Sequence, residues 1–491
     1  MAQSANYLAF DLGAESGRAV LGKFDGSRLA LEELHRFPNG PVPVRGTMHW
    51  NVLRIFEELR TGLAKTCSAT DGRLSSVGVD TWGVDFGLLD NAGSLLGNPV
   101  HYRDKRTNGI PEKLFEIVPK REVYEQTGIQ FMQINTLYQV YSMVVGDSAL
   151  LKGARTFLLM SDLMNYFLCG AKVCEFTNAT TTSMYNPRTG TWATPMFDRL
   201  NIPAKMLPEI VRPGTVLGDL DMELWAGQTS RVIAPACHDT GAAVAAVPAR
   251  GKNWAYLSCG TWSLLGTETN QPVITEDSYR YNITNEGGVN NTFRFLKNIM
   301  GLWLLQSSRK KWIEEGNDMS YADITREAAH ARAFVSFVDP DDPRFLAPSD
   351  MPAEIRGFCE KTGQPAPQER GALARCILES LALKCRFQLD RLQKIAGGQT
   401  DVLHMVGGGI QNKLLCQMVA SATQIPVVAG PVEATAAGNI IVQLMATGQI
   451  RSIAEGRELV RRSFPMEQYE PQEPDAWAEA YSRFLNIVQE T

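Results

Sequence analysis

The stretch from Ser230 to Gly266 constrains the fold of this chain more than any other. An apolar run, Val232 to Cys237, ends in His238-Asp239-Thr240, and small residues follow from Gly241 to Ala246. That density of small side chains predicts a helix packed very close to a neighbour. A second run, Trp254 to Ser258, reads as a strand and meets a glycine turn at Gly260-Thr261-Trp262-Ser263. An acid–base candidate at one strand end is therefore followed by a turn able to grip phosphate through its backbone.

At 491 residues the chain is too long for one compact core, which predicts two large domains. A net charge of −5 supplies neither a basic footprint for nucleic acid nor a polybasic patch for an anionic membrane surface. No apolar run approaches the length of a membrane span, and MAQSANYLAFDLG lacks the pattern of a signal peptide. The nine Cys are scattered without a paired CxxC, as buried reduced thiols of a cytoplasmic protein would be. Cys169 and Cys174 have no partner pair to make a zinc site, and the six His form no HxxxH pair.

Along the chain, Tyr7 to Phe10, Ala19 to Phe24 and Leu29 to Phe37 read as strands, with Asp11-Leu12-Gly13-Ala14-Glu15-Ser16-Gly17-Arg18 turning between the first two. Asp11, at a strand end, could hold Mg²⁺ through water, since that ion keeps most of its waters. A surface hairpin with an incidental acid is the alternative. Val52, Phe56, Leu59, Leu63 and Cys67 mark a helical face with Asn51 as N-cap. A buried strand from Leu74 to Val79 then leads into Asp80-Thr81-Trp82-Gly83-Val84-Asp85-Phe86. This β-β-β-α-β order is that of an actin-like, ribonuclease-H-type ATPase domain.

Residues 111–170 read as mainly helical, and Thr177 to Ser183 as an ordered hydroxyl-rich loop near a sugar site. Asn285 to Gly288 reads as a turn. Phe293 to Leu296 reads as a strand entering an apolar helix capped by Asn298. A long helix from about Glu369 to Ile395 buries Leu373, Ile377, Leu381, Cys385, Leu389 and Leu392, with Arg375, Glu379, Arg386 and Asp390 facing water. The strand Val402 to Val406 runs into Gly407-Gly408-Gly409, where a flat ring or a phosphate can touch the backbone, and a helix starts at about Lys413. After Val427 to Ala429, small residues from Ala434 to Asn439 again predict close helix packing.

The first turn, the Asp239 segment, the Gly260-Thr261 turn and the run from Gly407 to Gly438 together resemble the FGGY carbohydrate kinases. Asp80 to Phe86, Tyr102-Arg103-Asp104, Asn178 to Thr182, His238-Asp239-Thr240 and Lys297 to Trp303 carry the resemblance further, over residues 7–447. It implies an α/β protein of two actin-like domains, 1–248 and 249–491, with an active-site cleft between them. The first would hold the sugar, the phosphate hairpin and the base, and the second the nucleotide. It also implies ATP and Mg²⁺ as cofactors and phosphorylation of L-rhamnulose at its 1-hydroxyl.

Carried over residue by residue, Ala14, Glu15, Ser16, Gly17 and Arg18 form the phosphate hairpin, and Thr261 belongs to the second phosphate turn. Gln306 and Gly408 contact the nucleotide. Gly83, His238, Asp239, Thr240 and Asn298 hold the sugar, with Asp239 as catalytic base. A helix dipole at Asp239 would favour its ionised form and weaken its basicity. Glu15 stands where many family members have Ser or Thr, and its carboxylate must point away from triphosphate or act through Mg²⁺. Two other readings compete: a kinase for another deoxyketose such as L-fuculose, and a non-catalytic actin-like sugar sensor.

Overall fold

Alternating apolar residues and glycine turns drive the first 38 residues into a three-stranded antiparallel meander. In the computed structural model, which describes residues 5–488, these strands are β1 (Ala5–Leu12), β2 (Ser16–Phe24) and β3 (Leu29–Pro38). The helix Val52–Thr70 follows, with Asn51 Oδ1 accepting from the Arg54 amide at 3.2 Å. It leads to β4 (Ser76–Thr81), which pairs parallel to β1 and is buried along its whole length, as a parallel strand covered on both faces must be. Two further strands, β5 (Val216–Asp219) and β6 (Arg231–Ile233), complete a sheet of order β5-β6-β4-β1-β2-β3.

The chain divides into two compact units. The first comprises Met1–Ala246, Glu268–Phe295 and Ala434–Ser463, and the second Val247–Thr267, Leu296–Glu433 and Phe464–Thr491. The core of the first unit's sheet is aromatic and aliphatic, with Phe10, Trp50, Leu59, Leu63, Val77, Val79 and Trp82 in one cluster. Its most intimate contact lies between the helices Asp239–Ala245 and Ala434–Ala446. A Cβ placed on Gly438 would stand 1.7 Å from the Ala242 carbonyl oxygen. The two small-residue runs thus meet each other, and only glycine fits at the crossing.

A second sheet, most of it in the second unit, repeats the plan. Strand β7 (Trp254–Cys259) pairs antiparallel with β8 (Trp262–Thr269), beside which lies β9 (Phe293–Met300). On its other edge β7 pairs parallel with β10 (Val402–Val406), which pairs parallel with β11 (Val427–Ala429). The antiparallel β12 (Glu467–Tyr469) closes that edge. Both units therefore share a meander whose first strand runs parallel to a fourth, with a fifth parallel beyond it, the ribonuclease-H-type arrangement.

Three local expectations fail here. Asn298 lies inside β9 rather than capping a helix, and the helix Trp303–Glu314 begins after Gly301 and Leu302. The β pairing carries the chain past the point where a polar residue alone suggested a cap. Asn285 to Gly288 is not a free turn either, since Thr284–Gly287 is a buried strand. In the helix Arg370–Ala396, Glu379 is buried rather than water-facing, and its carboxylate accepts from the Phe334 amide and from Arg375 Nε. The long helix is covered on more sides than its apolar stripe indicated.

Candidate active site

Strand ends position the candidate residues of the first unit. Parallel strands deliver their carboxyl ends to one edge of a sheet, where ligands of open α/β sheets are bound. Asp11 and Asp80 face each other in register near the ends of β1 and β4. The backbone of His238 forms an isolated parallel bridge with Thr81, which brings the His238-Asp239-Thr240 segment to the same edge. The Cys237 amide donates to Glu175 Oε2 at 3.1 Å, and the His238 amide to Thr177 Oγ1 at 3.1 Å. These bonds fix the segment from behind.

Asp239 opens its helix with His238 as N-cap. Its Oδ1 accepts from the Thr240 amide and, at 3.1 Å, from Thr240 Oγ1. Burial pushes the carboxyl above its ordinary value; His238 and the two Thr240 hydrogen bonds oppose this, and the charge of Asp11 adds to it. The side chain still keeps 33% exposure, so the carboxylate is desolvated by its depth yet open to an acceptor hydroxyl. This corrects the expectation that a helix terminus makes Asp239 a weak base. Desolvation is the largest cause of the shift, and it acts against the charged form. Asp80 is raised well above its usual value, first by complete burial and then by the charge of Asp11. Asn439 Nδ2 reaches Asp80 Oδ2 at 2.6 Å, while Oδ1 is buried without a hydrogen bond.

The hairpin between β1 and β2 closes through a Gly13 amide bond to the Ser16 carbonyl at 2.9 Å. Asn39 reinforces it, with its amide donating to the Glu15 carbonyl at 3.0 Å and its Nδ2 to the Gly13 carbonyl at 2.8 Å. Three carbonyls of the turn are thus engaged, which lowers the negative potential an incoming phosphate would meet. The Glu15 side chain is exposed, and Ala14 and Ser16 are half-buried. Arg18 pairs with the Asp11 carboxylate directly across the hairpin.

Around Gly83 the hydroxyl-rich run is folded inward. Thr177, Asn178, Thr180, Thr181 and Thr182 are all buried. Thr181 Oγ1 accepts from the Val84 amide at 3.2 Å, and a Cβ on Gly83 would meet that oxygen at 3.0 Å. Below it, Asp85 accepts from Trp50 Nε1 at 2.6 Å, Trp82 Nε1 at 3.0 Å, Gln139 Nε2 at 3.1 Å and the Tyr102 amide at 3.2 Å. Burial pushes this carboxyl up to about 6 despite those four donors. Asp85 and Glu175 organise the site, yet the sequence marked Asp85 only as a member of a longer motif and did not mark Glu175. Glu286 and Arg294, packed on His238, were read in the sequence only as parts of a turn and a strand.

The second unit carries Thr261, Asn298, Gln306 and Gly408. Its β7–β8 turn closes with a Gly260 amide bond to the Trp262 carbonyl at 2.9 Å. The amides of Gly301 and Trp303 donate to the Thr261 carbonyl at 3.1 and 3.2 Å, tying the turn to the start of the helix Trp303–Glu314. After β10, Gly407 adopts φ +88, and a Cβ on Gly409 would strike Cys259 Sγ at 2.4 Å. Gly408 between them is exposed, with nothing within 4 Å of a Cβ built on it. Gln306 Oε1 is buried with no hydrogen-bond partner. A bare backbone and an orphaned amide oxygen suit a nucleoside.

Comparison with known proteins agrees with this architecture. The N-terminal domain of the FGGY family of carbohydrate kinases matches residues 6–245, and the C-terminal domain of the same family matches residues 255–447. The chain belongs to the FGGY family of carbohydrate kinases. It is 43% identical to the rhamnulokinase of Bacteroides thetaiotaomicron over 487 residues, 99% of each chain. It is 42% identical to that of Halalkalibacterium halodurans over 468 residues, 94% of this chain and 98% of the relative. Xylulose kinase of Lactobacillus acidophilus superposes with a TM-score of 0.82 at 16% identity, over 98% and 97% of the two chains. Plasmodium falciparum glycerol kinase with ADP gives 0.79 at 14%, over 99% of each. No helix among the described residues is long and apolar enough to cross a membrane.

Proposed function

We propose that this chain transfers the γ-phosphoryl group of ATP to the 1-hydroxyl of L-rhamnulose. The observation that carries this reading is an open, desolvated Asp239 carboxylate beside His238, in a chain 39–43% identical to relatives named rhamnulokinase. Asp239 acts as the base, accepting the proton of the sugar hydroxyl as its oxygen attacks phosphorus. Its raised proton affinity suits that task better than that of an ordinary surface aspartate. Gly83, His238, Thr240 and Asn298 hold the sugar. Residues 1–248 carry Asp239, Gly83, His238 and Thr240 on the acceptor, and residues 249–491 carry Asn298 together with Thr261, Gln306 and Gly408 on ATP.

Phosphoryl transfer depends on alignment and charge stabilisation more than on covalent help. The hairpin from Ala14 to Arg18 supplies backbone donors to the phosphates, while Glu15 projects into solvent, where it does least harm. Mg²⁺ fits the same edge. The charge of Asp11 raises the proton affinity of both Asp80 and Asp239, and the charge of Asp239 adds to it at Asp80, a repulsion that a divalent cation relieves. Among the described residues no three ligating side chains converge into a cage, which suits an ion held by Asp11 through water. Bound there, the ion would neutralise charge on the phosphates. The reduced cysteines fit a cytoplasmic enzyme.

Asp239→Asn and Asp239→Ala test the assignment. Both are expected to fold and bind ATP while losing roughly 10²- to 10⁴-fold in turnover. Near-normal turnover in both variants removes Asp239 from the role of base.

A further inference from the structure

Behind the candidate base, two buried side chains of the first unit that the proposed chemistry has not used, Arg294 and Glu286, pack on His238. Arg294 is completely buried, and its Nε donates to the Gly287 carbonyl at 2.8 Å. Its Nη2 lies 3.1 Å from Glu286 Oε2 and 3.0 Å from His238 Nδ1. The contact with Glu286 is an ion pair without hydrogen-bond geometry, whereas that with His238 Nδ1 is a hydrogen bond. The Glu286 side chain is 6% exposed and that of His238 is 10% exposed, so water competes for neither.

A guanidinium has donors only and keeps its proton under all ordinary conditions. The nitrogen facing it at 3.0 Å must therefore offer a lone pair. The alternative, a proton on Nδ1 aimed at Glu286, would span 3.4 Å and set two donors against each other. The ion pair with Glu286 leaves the ring beside a nearly neutral partner rather than an isolated cation. The other ring nitrogen, Nε2, is 3.4 Å from Asp239 Oδ1.

We infer that Arg294 is a positioning residue that fixes His238 as the neutral Nε2–H tautomer, aiming a hydrogen-bond donor at the acceptor side of Asp239. The ligand group that His238 recognises is then an oxygen with a free lone pair, a carbonyl or hydroxyl oxygen of the sugar. An N–H donor of a ligand is rejected there. This consequence rests on the sugar-kinase reading, whereas the tautomer itself does not.

Histidine-selective ¹⁵N labelling of the full chain reads the tautomer directly. The His238 signals are assigned by their loss in His238→Gln. The expected wild-type spectrum at neutral pH shows an unprotonated Nδ1 and a protonated Nε2. A protonated Nδ1, alone or in a doubly protonated ring, overturns the inference without need of an arginine variant. Arg294→Met is expected to release the tautomer and lower ketose kcat/KM roughly 10- to 100-fold, with the KM for ATP nearly unchanged. Arg294→Lys, which keeps a donor, recovers part of that loss. Unchanged ketose kcat/KM in a folded Arg294→Met also overturns it. A wild-type spectrum of the expected form in a protein that phosphorylates no ketose leaves the tautomer standing and defeats the kinase reading alone.

Discussion

Substitution of Gly438 by alanine adds one methyl group at the tightest helix crossing in the first unit. The new Cβ would lie 1.7 Å from the Ala242 carbonyl oxygen and 2.6 Å from its carbonyl carbon. Ordinary contact requires about 3.4 Å, so the helices Asp239–Ala245 and Ala434–Ala446 must part by roughly 1.5 Å at this point. Both obstructing atoms are backbone and cannot swing aside. Overpacking of this kind costs about 1–3 kcal/mol, more than the gain of at most about 1 kcal/mol from replacing glycine within a helix. Asp239 stands one turn from the contact, and a shift of about 1 Å in a catalytic group costs on the order of 100-fold in rate. Gly357, within the helix Met351–Lys361, is the control, because a Cβ there meets nothing within 4 Å. Urea denaturation and steady-state turnover of both variants should show Gly438→Ala destabilised and slow. Gly357→Ala should be stabilised by about 0.5–1 kcal/mol and fully active. A Gly438→Ala protein with wild-type stability and turnover would refute the close crossing.

Glu175 provides a pH test. Burial raises its carboxyl from 4.5 to about 7, against hydrogen bonds from Thr177, Asn178 and Cys237. The folded state therefore binds this proton more tightly than the unfolded chain, so its stabilising effect is complete below about pH 4.5 and is lost as pH rises through about 7. Relative to Glu175→Gln, the wild type should lose about 2.5 kcal/mol between pH 5 and pH 8, and parallel pH profiles of unfolding would contradict the assignment. In the second unit, Lys384 Nζ lies 2.6 Å from Asp339 Oδ1 and 3.0 Å from Asp341 Oδ2, with its side chain 3% exposed. Lys384→Met removes the cation bonded to both carboxylates and should cost about 3–5 kcal/mol in chemical denaturation. A cost under about 1 kcal/mol would mean that the pair is not desolvated.

The strands β10 and β11, the helix Lys413–Thr423 and the Asn51 cap were legible because their signals are local. Apolar runs of strand length, glycine punctuation and a capping side chain act within a few residues. The close crossing of the two small-residue helices was legible in kind, since each run called for a near neighbour. Their pairing with each other was not, because no local pattern links residues 242 and 438. Asn298 shows the opposite failure, a local preference overridden by strand pairing to β8. Of the candidate site, the strand-end Asp239 and the glycine turns were visible in the sequence. Arg294 and Glu286 were not, because their meaning lies in contact with a histidine 56 residues from Arg294.

The central claim is that this member of the FGGY family phosphorylates L-rhamnulose through Asp239. A coupled ADP-release assay over a panel of ketoses, run on the wild type and on Asp239→Asn, tests it most directly. The account predicts the highest kcat/KM for L-rhamnulose, a 1-phosphate product and a collapse of turnover in the variant. A higher kcat/KM for another ketose such as L-fuculose, or ADP release that survives the loss of the carboxylate, would contradict it.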